Sequence, residues 1–186
     1  MNLKLRSDLE MKKIGLVLSS IAIFFALSTG ATAQTNSQTL TNANAIKIAA
    51  SASDHFWNAL HGYKKTPCTQ GTFNYKGTPY TYLCPEFDTK AELTNYLSET
   101  FTNNAVEKGL TKYSYITYNG KLAHPVGDGF SMLEWTKAKA KLVYQTSTVR
   151  SYEFTVPTVD GATVKRTVTF YKAGTQWKVN KFDAVQ

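Results

Sequence analysis

Apolar and small residues recur at helical spacing in two segments of the N-terminal half of the chain. The first covers residues 42–62 and finishes on a glycine, a common residue just beyond a helix end. The second, residues 88–101, begins with Thr89 and Glu92 at the spacing of a capping box. We therefore predict two helices, the second of them ended by the asparagine pair at 103–104.

Two short β-hairpins are predicted on either side of the second helix. Residues 72–84 carry strand-forming residues around a Lys-Gly pair at 76–77. Residues 113–123 do the same around an Asn-Gly pair at 119–120, and Asn-Gly is the strongest two-residue hairpin signal.

The hydrophobic period changes to two in the C-terminal part of the chain. Apolar and polar residues alternate in four segments, near 137–144, 152–156, 164–170 and 176–182, with turn residues between them. Consecutive strands with short turns predict an antiparallel meander. The expected fold class is α+β, with N-terminal helices and small hairpins packed on a C-terminal antiparallel meander.

The first 33 residues of the chain indicate export. Residues 11–33 contain two lysines, an apolar run too short to favour a spanning helix, and a terminal Ala-Thr-Ala, which together predict a secretory signal peptide. We expect residues 1–33 to form this region, with Met11 as the true start. Residues 34–41 are then a flexible leader and residues 42–186 a single domain, secreted and without membrane insertion in the mature form.

Net charge restricts the classes of partner. The chain carries +8, and because four of its 21 basic and two of its 13 acidic residues lie in residues 1–33, the remainder carries +6. A basic exported protein is attracted to polyanions, and we expect anionic cell-wall polymers rather than nucleic acid. Ordinary solvated surface lysines are the alternative interpretation. We expect a monomer.

The sequence contains two cysteines, Cys68 and Cys84. In an oxidising compartment, two nearby cysteines most simply form one disulfide, and closing a loop of this size contributes about 3 kcal/mol in the chain-entropy model. A free reactive thiol is the alternative.

Candidate catalytic chemistry is sparse. The histidines are His55, His61 and His124, and the spacing of the first two does not suit a shared metal ion. No serine-hydrolase, phosphate-binding or dinucleotide-binding motif occurs. A cysteine–histidine nucleophile would need a free thiolate. We predict no catalytic residues, no metal site and no cofactor.

Two surface features remain as candidate binding elements. One is the lysine row, which consists of Lys137, Lys139 and Lys141. These alternating lysines are expected on one strand face, where they would bind wall polymer or an acidic partner. The alternative interpretation is an ordinary solvated face. The other is the Gly-Asp-Gly loop, which combines a restricted entry with two glycines and one carboxylate. It consists of Pro125, Val126, Gly127, Asp128, Gly129 and Phe130. Its alternative interpretation is a long turn between strands.

Six segments, taken in order, resemble the IseA-type inhibitors of bacterial cell-wall DL-endopeptidases. They are "DHFWNALHG", "DTKAELTNYL", "NGKLAHPVGDG", "EWTKAKAKLV", "YEFTVP" and "QWKVNKF". The resemblance implies a secreted protein, not an enzyme, that binds cysteine-dependent peptidoglycan hydrolases and blocks their active site. It also implies a mobile inhibitory loop between strands, at residues 125–130 here. A non-catalytic wall- or muropeptide-binding module is the alternative function.

Overall fold

The computed structural model describes residues 39–186; the predicted signal peptide and most of the predicted leader lie outside this range. Helix α1, Asn42–His61, forms as predicted. Thr41 caps its start by accepting a hydrogen bond from the backbone N–H of Asn44, and Gly62 ends it in the left-handed conformation at φ 75°. Leu40, at the end of the predicted leader, is already buried in the core.

The second predicted helix is shorter than expected, and a third helix that was not predicted follows it. Helix α2, Lys90–Leu97, has the predicted capping box, and helix α3 runs over Asn103–Lys112. The prediction that the asparagine pair ends a helix is wrong, because Thr102 is an N-cap whose hydroxyl accepts from the Ala105 N–H. Within α3, Gly109 lies directly beneath the ring of Phe182, so close that an added Cβ would be 2.3 Å from it.

The two predicted hairpins are present and join into one four-stranded antiparallel sheet. Its strands are β1, Thr72–Tyr75, β2, Thr78–Tyr82, β3, Ile116–Tyr118, and β4, Lys121–Pro125. The strand order is β1-β2-β4-β3, because β2 pairs with β4 across the two hairpins. This long-range pairing has no local sequence signal.

The predicted C-terminal meander is confirmed. Its strands are β5, Lys139–Gln145, β6, Val149–Pro157, β7, Thr163–Ala173, and β8, Gln176–Val179, in sheet order β5-β6-β7-β8. A short 3-10 turn, Trp135–Lys137, precedes β5. A β-bulge between Leu142 and Tyr144 changes the alternation and leaves the Tyr144 side chain exposed.

The core lies between the helices and the second sheet. Buried side chains of β6 and β7 pack in one cluster with the small and aromatic residues of α1. Phe182 joins the same cluster through ring contacts with Phe56 and Phe101, at 5.1 and 5.2 Å between centroids. The fold is therefore α+β, as predicted. Within residues 39–186, no helix has the length and apolar character needed to cross a membrane.

Candidate functional site

The Gly-Asp-Gly loop lies in the connection between the two sheets, after β4 and before β5. At its start, the Val126 N–H donates to the carbonyl of Pro79 over 2.9 Å. Beyond its end, the Glu134 N–H donates to the carbonyl of Pro157 over 2.8 Å. Each sheet therefore holds one end of the connection, and the loop projects between two fixed points.

The middle of the loop is attached to α1. His61, the last residue of the helix, donates from Nε2 to the carbonyl of Gly129 over 2.9 Å. Gly129 has φ 155°, and a Cβ at this position would be 3.2 Å from the Trp57 ring. Glycine is required here by conformation and by close approach to the ring. Gly127 has no positive φ, and its added Cβ would meet only the Pro125 carbonyl, at 4.0 Å.

The tip of the loop is exposed. Asp128 is accessible to solvent, and none of residues 39–186 forms a hydrogen bond or ion pair with its carboxylate. Two apolar side chains flank it, Val126 with 49% and Phe130 with 70% of its surface exposed. The tip therefore presents one carboxylate to solvent between two exposed apolar side chains.

A cleft of about 400 Å³ lies beneath the loop, between the ends of α1 and α3. Its wall includes Trp57, His61, Lys112 and His124. His124 is buried and donates from Nδ1 to the carbonyl of Pro125 over 2.8 Å, which leaves its Nε2 without a partner among the described residues. Burial lowers the pKa of this imidazole and favours its neutral form. The indole N–H of Trp57 also lacks a described partner.

The histidines do not form one site. His55 is buried beside α2, where its ring stacks on Tyr96 at 4.1 Å and its Nδ1 bonds to the Ser51 carbonyl. His61 and His124 face the cleft instead. Within the described part of the chain, no group of three His, Cys, Asp or Glu residues has a geometry that could hold a metal ion.

Cys68 and Cys84 form the predicted disulfide, with their Cα atoms 5.9 Å apart. Since the sequence has two cysteines, both sulfur atoms are bonded and neither offers a thiolate. The disulfide lies next to the end of α1, because the Cys84 N–H donates to the Gly62 carbonyl over 2.8 Å.

The prediction that the lysine row shares one strand face is wrong for Lys137. This residue lies in the 3-10 turn before β5, and its ammonium group pairs with Glu134 over 2.6 Å. The other two lysines, Lys139 and Lys141, do share the exposed face of β5, and no residue of 39–186 forms an ion pair with either. The turn forms because Trp135 is buried and donates its indole N–H to the Val185 carbonyl, which fixes the chain before the strand starts.

Sequence reasoning missed two contacts near the loop, that of His61 with Gly129 and that of the β6–β7 turn with the segment that follows the loop. Met132 and Val159 meet through a backbone hydrogen bond of 3.0 Å from the Val159 N–H to the Met132 carbonyl. Neither contact has a local motif, since the partners lie far apart in the chain.

Comparison with known proteins adds a family relationship. The family model for the IseA DL-endopeptidase inhibitor matches residues 36–184. A curated relative from Bacillus subtilis (strain 168), named uncharacterized protein YoeB, is 46% identical over 180 residues. The alignment covers 94% of this chain and 99% of that protein.

Proposed function

The chain belongs to the IseA DL-endopeptidase inhibitor family, and on that premise we propose that it is a secreted inhibitor of cell-wall DL-endopeptidases. These targets are cysteine-dependent hydrolases of peptidoglycan, and their inhibition restrains autolysis. The Gly-Asp-Gly loop is the mobile element that enters and blocks the active site. The proposal requires no catalysis by this chain.

The observation that carries the proposal is the state of the loop tip. Asp128 is exposed and without a partner among the described residues, while the two ends of the connection are held by backbone hydrogen bonds to Pro79 and Pro157. Because both ends are fixed, the loop has fewer conformations to lose when it binds, while its tip can still adapt to a cleft. This arrangement suits insertion into a cleft on another protein.

The chemistry of the target complements the loop. A cysteine hydrolase works through a thiolate beside a positively charged imidazole. The Asp128 carboxylate would pair with that imidazolium or accept hydrogen bonds from the oxyanion donors. Gly127 has no side chain and only the Pro125 carbonyl near its Cβ position, at 4.0 Å, so its backbone can approach a narrow cleft closely. Because the enzyme cuts linkages that involve D-residues, an L-peptide loop can occupy the site without being cleaved.

Digestion of purified peptidoglycan by a purified DL-endopeptidase tests the proposal. The mature protein is added in increasing amounts beside Asp128→Ala and Asp128→Asn variants. We expect the wild type to stop digestion, and both variants to inhibit less because both lack the charge. Equal inhibition by all three would keep the function and remove Asp128 from it. Unchanged digestion with several such enzymes would contradict the proposal.

The cleft beneath the loop favours a second candidate function, a non-catalytic wall- or muropeptide-binding module. Its wall combines the Trp57 ring and the His61 imidazole with the Lys112 ammonium group, whose charge already pairs with Asp183. An aromatic ring and a polar imidazole in one cleft suit a small peptide ligand. This candidate predicts saturable binding of purified muropeptides in the absence of any hydrolase, measured by titration calorimetry. No heat of binding at millimolar muropeptide would eliminate it.

The exposed lysines of β5 are proposed to hold the protein in the anionic wall, close to its targets. The family points to partners in the cell wall, and the disulfide suits an oxidising compartment. In this proposal Lys139 and Lys141 provide the attraction, and Lys137 contributes less because Glu134 already pairs with it.

A further inference from the structure

Large apolar side chains are exposed at what we call the loop end of the molecule. It comprises the Gly-Asp-Gly loop, Met132 and the turn between β6 and β7. Met132 has 38% and Val159 has 63% of its surface exposed, and Phe130, at 70%, precedes Met132 by two residues. Exposed apolar side chains that cluster, rather than occurring singly, usually mark an interaction site.

Val159 belongs to the turn between β6 and β7, and this turn is paired with the segment that follows the Gly-Asp-Gly loop. Leu133 and Thr158 form an antiparallel bridge, and the Val159 N–H donates to the Met132 carbonyl over 3.0 Å. Met132 and Val159 are therefore cross-strand neighbours, and side chains directly opposite each other in an antiparallel pair lie on the same face.

The turn is internally fixed. The Thr158 N–H donates to the Ala162 carbonyl over 3.0 Å, and the Gly161 N–H donates to the Thr158 carbonyl over 2.9 Å. The Asp160 carboxylate accepts hydrogen bonds from the Thr158 hydroxyl and the Ala162 N–H, and these bonds lower its pKa. Val159 is thus presented by a turn that needs little further ordering on binding.

We propose that the β6–β7 turn is a second contact for the endopeptidase, and that Phe130, Met132 and Val159 form an apolar docking surface against the rim of its active-site cleft. The inference rests on the proposed function and deepens it, because it names the part of the partner that lies beside the cleft. The occupant follows from continuity: the hydrogen-bonded pair of Met132 and Val159 places the turn next to the loop that enters the cleft.

The two contacts have different roles in this arrangement. Asp128 supplies a charge that recognises the catalytic groups, whereas the apolar docking surface supplies affinity by removing hydrophobic area from water. A partner suited to this surface has an apolar rim next to a cationic cleft. Binding energy at interfaces is commonly concentrated in a few such anchors.

The test compares Val159→Ser with Val143→Ser. Val143 is a matched control, because it is the same residue type with 53% exposure, at the bulge of β5. The bulge pairs beside Tyr152, which lies about 20 Å along the strand direction from Val159 at the usual rise per residue. Two quantities are measured for each protein: half-inhibitory concentration in peptidoglycan digestion, and affinity for an endopeptidase whose catalytic cysteine is replaced by alanine.

We expect Val159→Ser to raise the half-inhibitory concentration and the dissociation constant roughly tenfold each. Val143→Ser should match the wild type in both. Wild-type affinity and inhibition for Val159→Ser would overturn the docking surface and leave the proposed function standing. Binding by the wild type without inhibition, lost in Val159→Ser, would support the surface and contradict the blocking of the active site. No binding by any of the proteins would remove both.

Two further readouts separate this surface from its alternatives. Val159→Thr keeps the branched shape and adds a hydroxyl, so it repeats the test if the serine variant melts at a lower temperature than the wild type. Size-exclusion chromatography shows whether two copies of this chain cover the surface instead. A wild-type dimer that Val159→Ser converts to a monomer would overturn the inference.

Discussion

The loop end of the molecule and the β5 edge both expose apolar side chains, but for different structural reasons. At the edge, Val143 and Tyr144 are exposed where a β-bulge interrupts the pairing of β5 with β6. Bulges and lysines are devices that protect an edge strand from pairing with another chain. At the loop end, Phe130 and Val159 are exposed on segments that are held by backbone hydrogen bonds. Exposure there has no such protective explanation, which favours a binding role.

The charged residues of the loop end and of the second sheet also differ in their surroundings. Asp128 has no partner among the described residues and lies between apolar side chains. On the outer face of the second sheet, Lys141 lies opposite Glu153, and Glu153 pairs with Lys165 over 3.2 Å. A charge within a mixed surface of this kind is screened by its neighbours and by salt. A solitary carboxylate on a projecting loop is better suited to recognising one specific partner.

Removal of the disulfide should give the largest change in stability and test whether the loop end depends on it. The bridge closes a separation of 16 residues, so Cys68→Ala with Cys84→Ala should lower the free energy of unfolding by about 3 kcal/mol. Urea unfolding measures the loss. Inhibition at 25 °C should persist, because the two ends of the connection are held by other contacts. Loss of inhibition in a variant that is still folded would show that the end of α1 transmits the disulfide's constraint to the loop.

Substitution of Asp128 should give the largest change in inhibition with the smallest change in stability. Truncating one member of a buried charge pair at an interface costs about 2 kcal/mol or more, so Asp128→Ala should raise the half-inhibitory concentration about thirtyfold. Its melting temperature should not change, since no described residue bonds to this carboxylate. Glu153→Ala is the matched control on the second sheet, and it should inhibit like the wild type. Equal losses in the two variants would indicate a general effect of net charge.

Alanine substitutions at the two loop glycines should distinguish a glycine needed for its backbone conformation from one needed for close approach to the partner. Gly129→Ala introduces a side chain at φ 155°, 3.2 Å from the Trp57 ring, and should destabilise the protein by about 1–2 kcal/mol. Gly127→Ala makes only an ordinary contact of 4.0 Å with the Pro125 carbonyl and should leave thermal stability unchanged. If the backbone at Gly127 enters the cleft, this variant should nevertheless inhibit several-fold less well. Wild-type inhibition by Gly127→Ala would show that the partner leaves room for a methyl group there.

His124 should make stability depend on pH. Burial holds its pKa below the ordinary value of 6.5, so the folded protein binds this proton less readily than the unfolded chain. The stabilising effect of the neutral ring is complete above pH 6.5 and is lost as the pH falls below it, by at most about 1.4 kcal/mol per pH unit. We expect His124→Asn to lose less stability than the wild type between pH 7.5 and pH 5.5, measured by urea unfolding. Parallel curves would assign the wild-type dependence to other groups.

Much of the fold follows from hydrophobic period, because burial of one face imposes that period on helices and strands. The capping box at Thr89, the Asn119-Gly120 turn and the meander were all predictable on local grounds. The start of α3 was not, since an asparagine pair is compatible with either end of a helix and the Thr102 cap decides between them. Pairing of β2 with β4 was also not predictable, because it joins segments about 40 residues apart.

Only the features of the candidate site that depend on local composition could be predicted from the sequence. The glycines and the single carboxylate of the loop mark an unusual connection in the sequence. The contact of His61 with Gly129 and that of Met132 with Val159 depend on tertiary packing. Val159 looks like an ordinary residue beside an Asp-Gly turn until the bridge between Leu133 and Thr158 places it next to the loop. Long-range contacts therefore determine which exposed residues act together.

The smallest expected effect is that of the β5 lysines, and it concerns retention in the wall rather than inhibition. Lys139→Ala with Lys141→Ala removes two exposed charges, each worth about 1 kcal/mol or less near a polyanion at moderate salt. Sedimentation with purified cell walls should show weaker binding of the variant at low ionic strength, and the difference should disappear as salt is added. Lys137→Ala should have less effect, because Glu134 already offsets its charge. Retention that all three substitutions leave unchanged would assign the lysines to protection of the strand edge and leave the loop end as the functional surface.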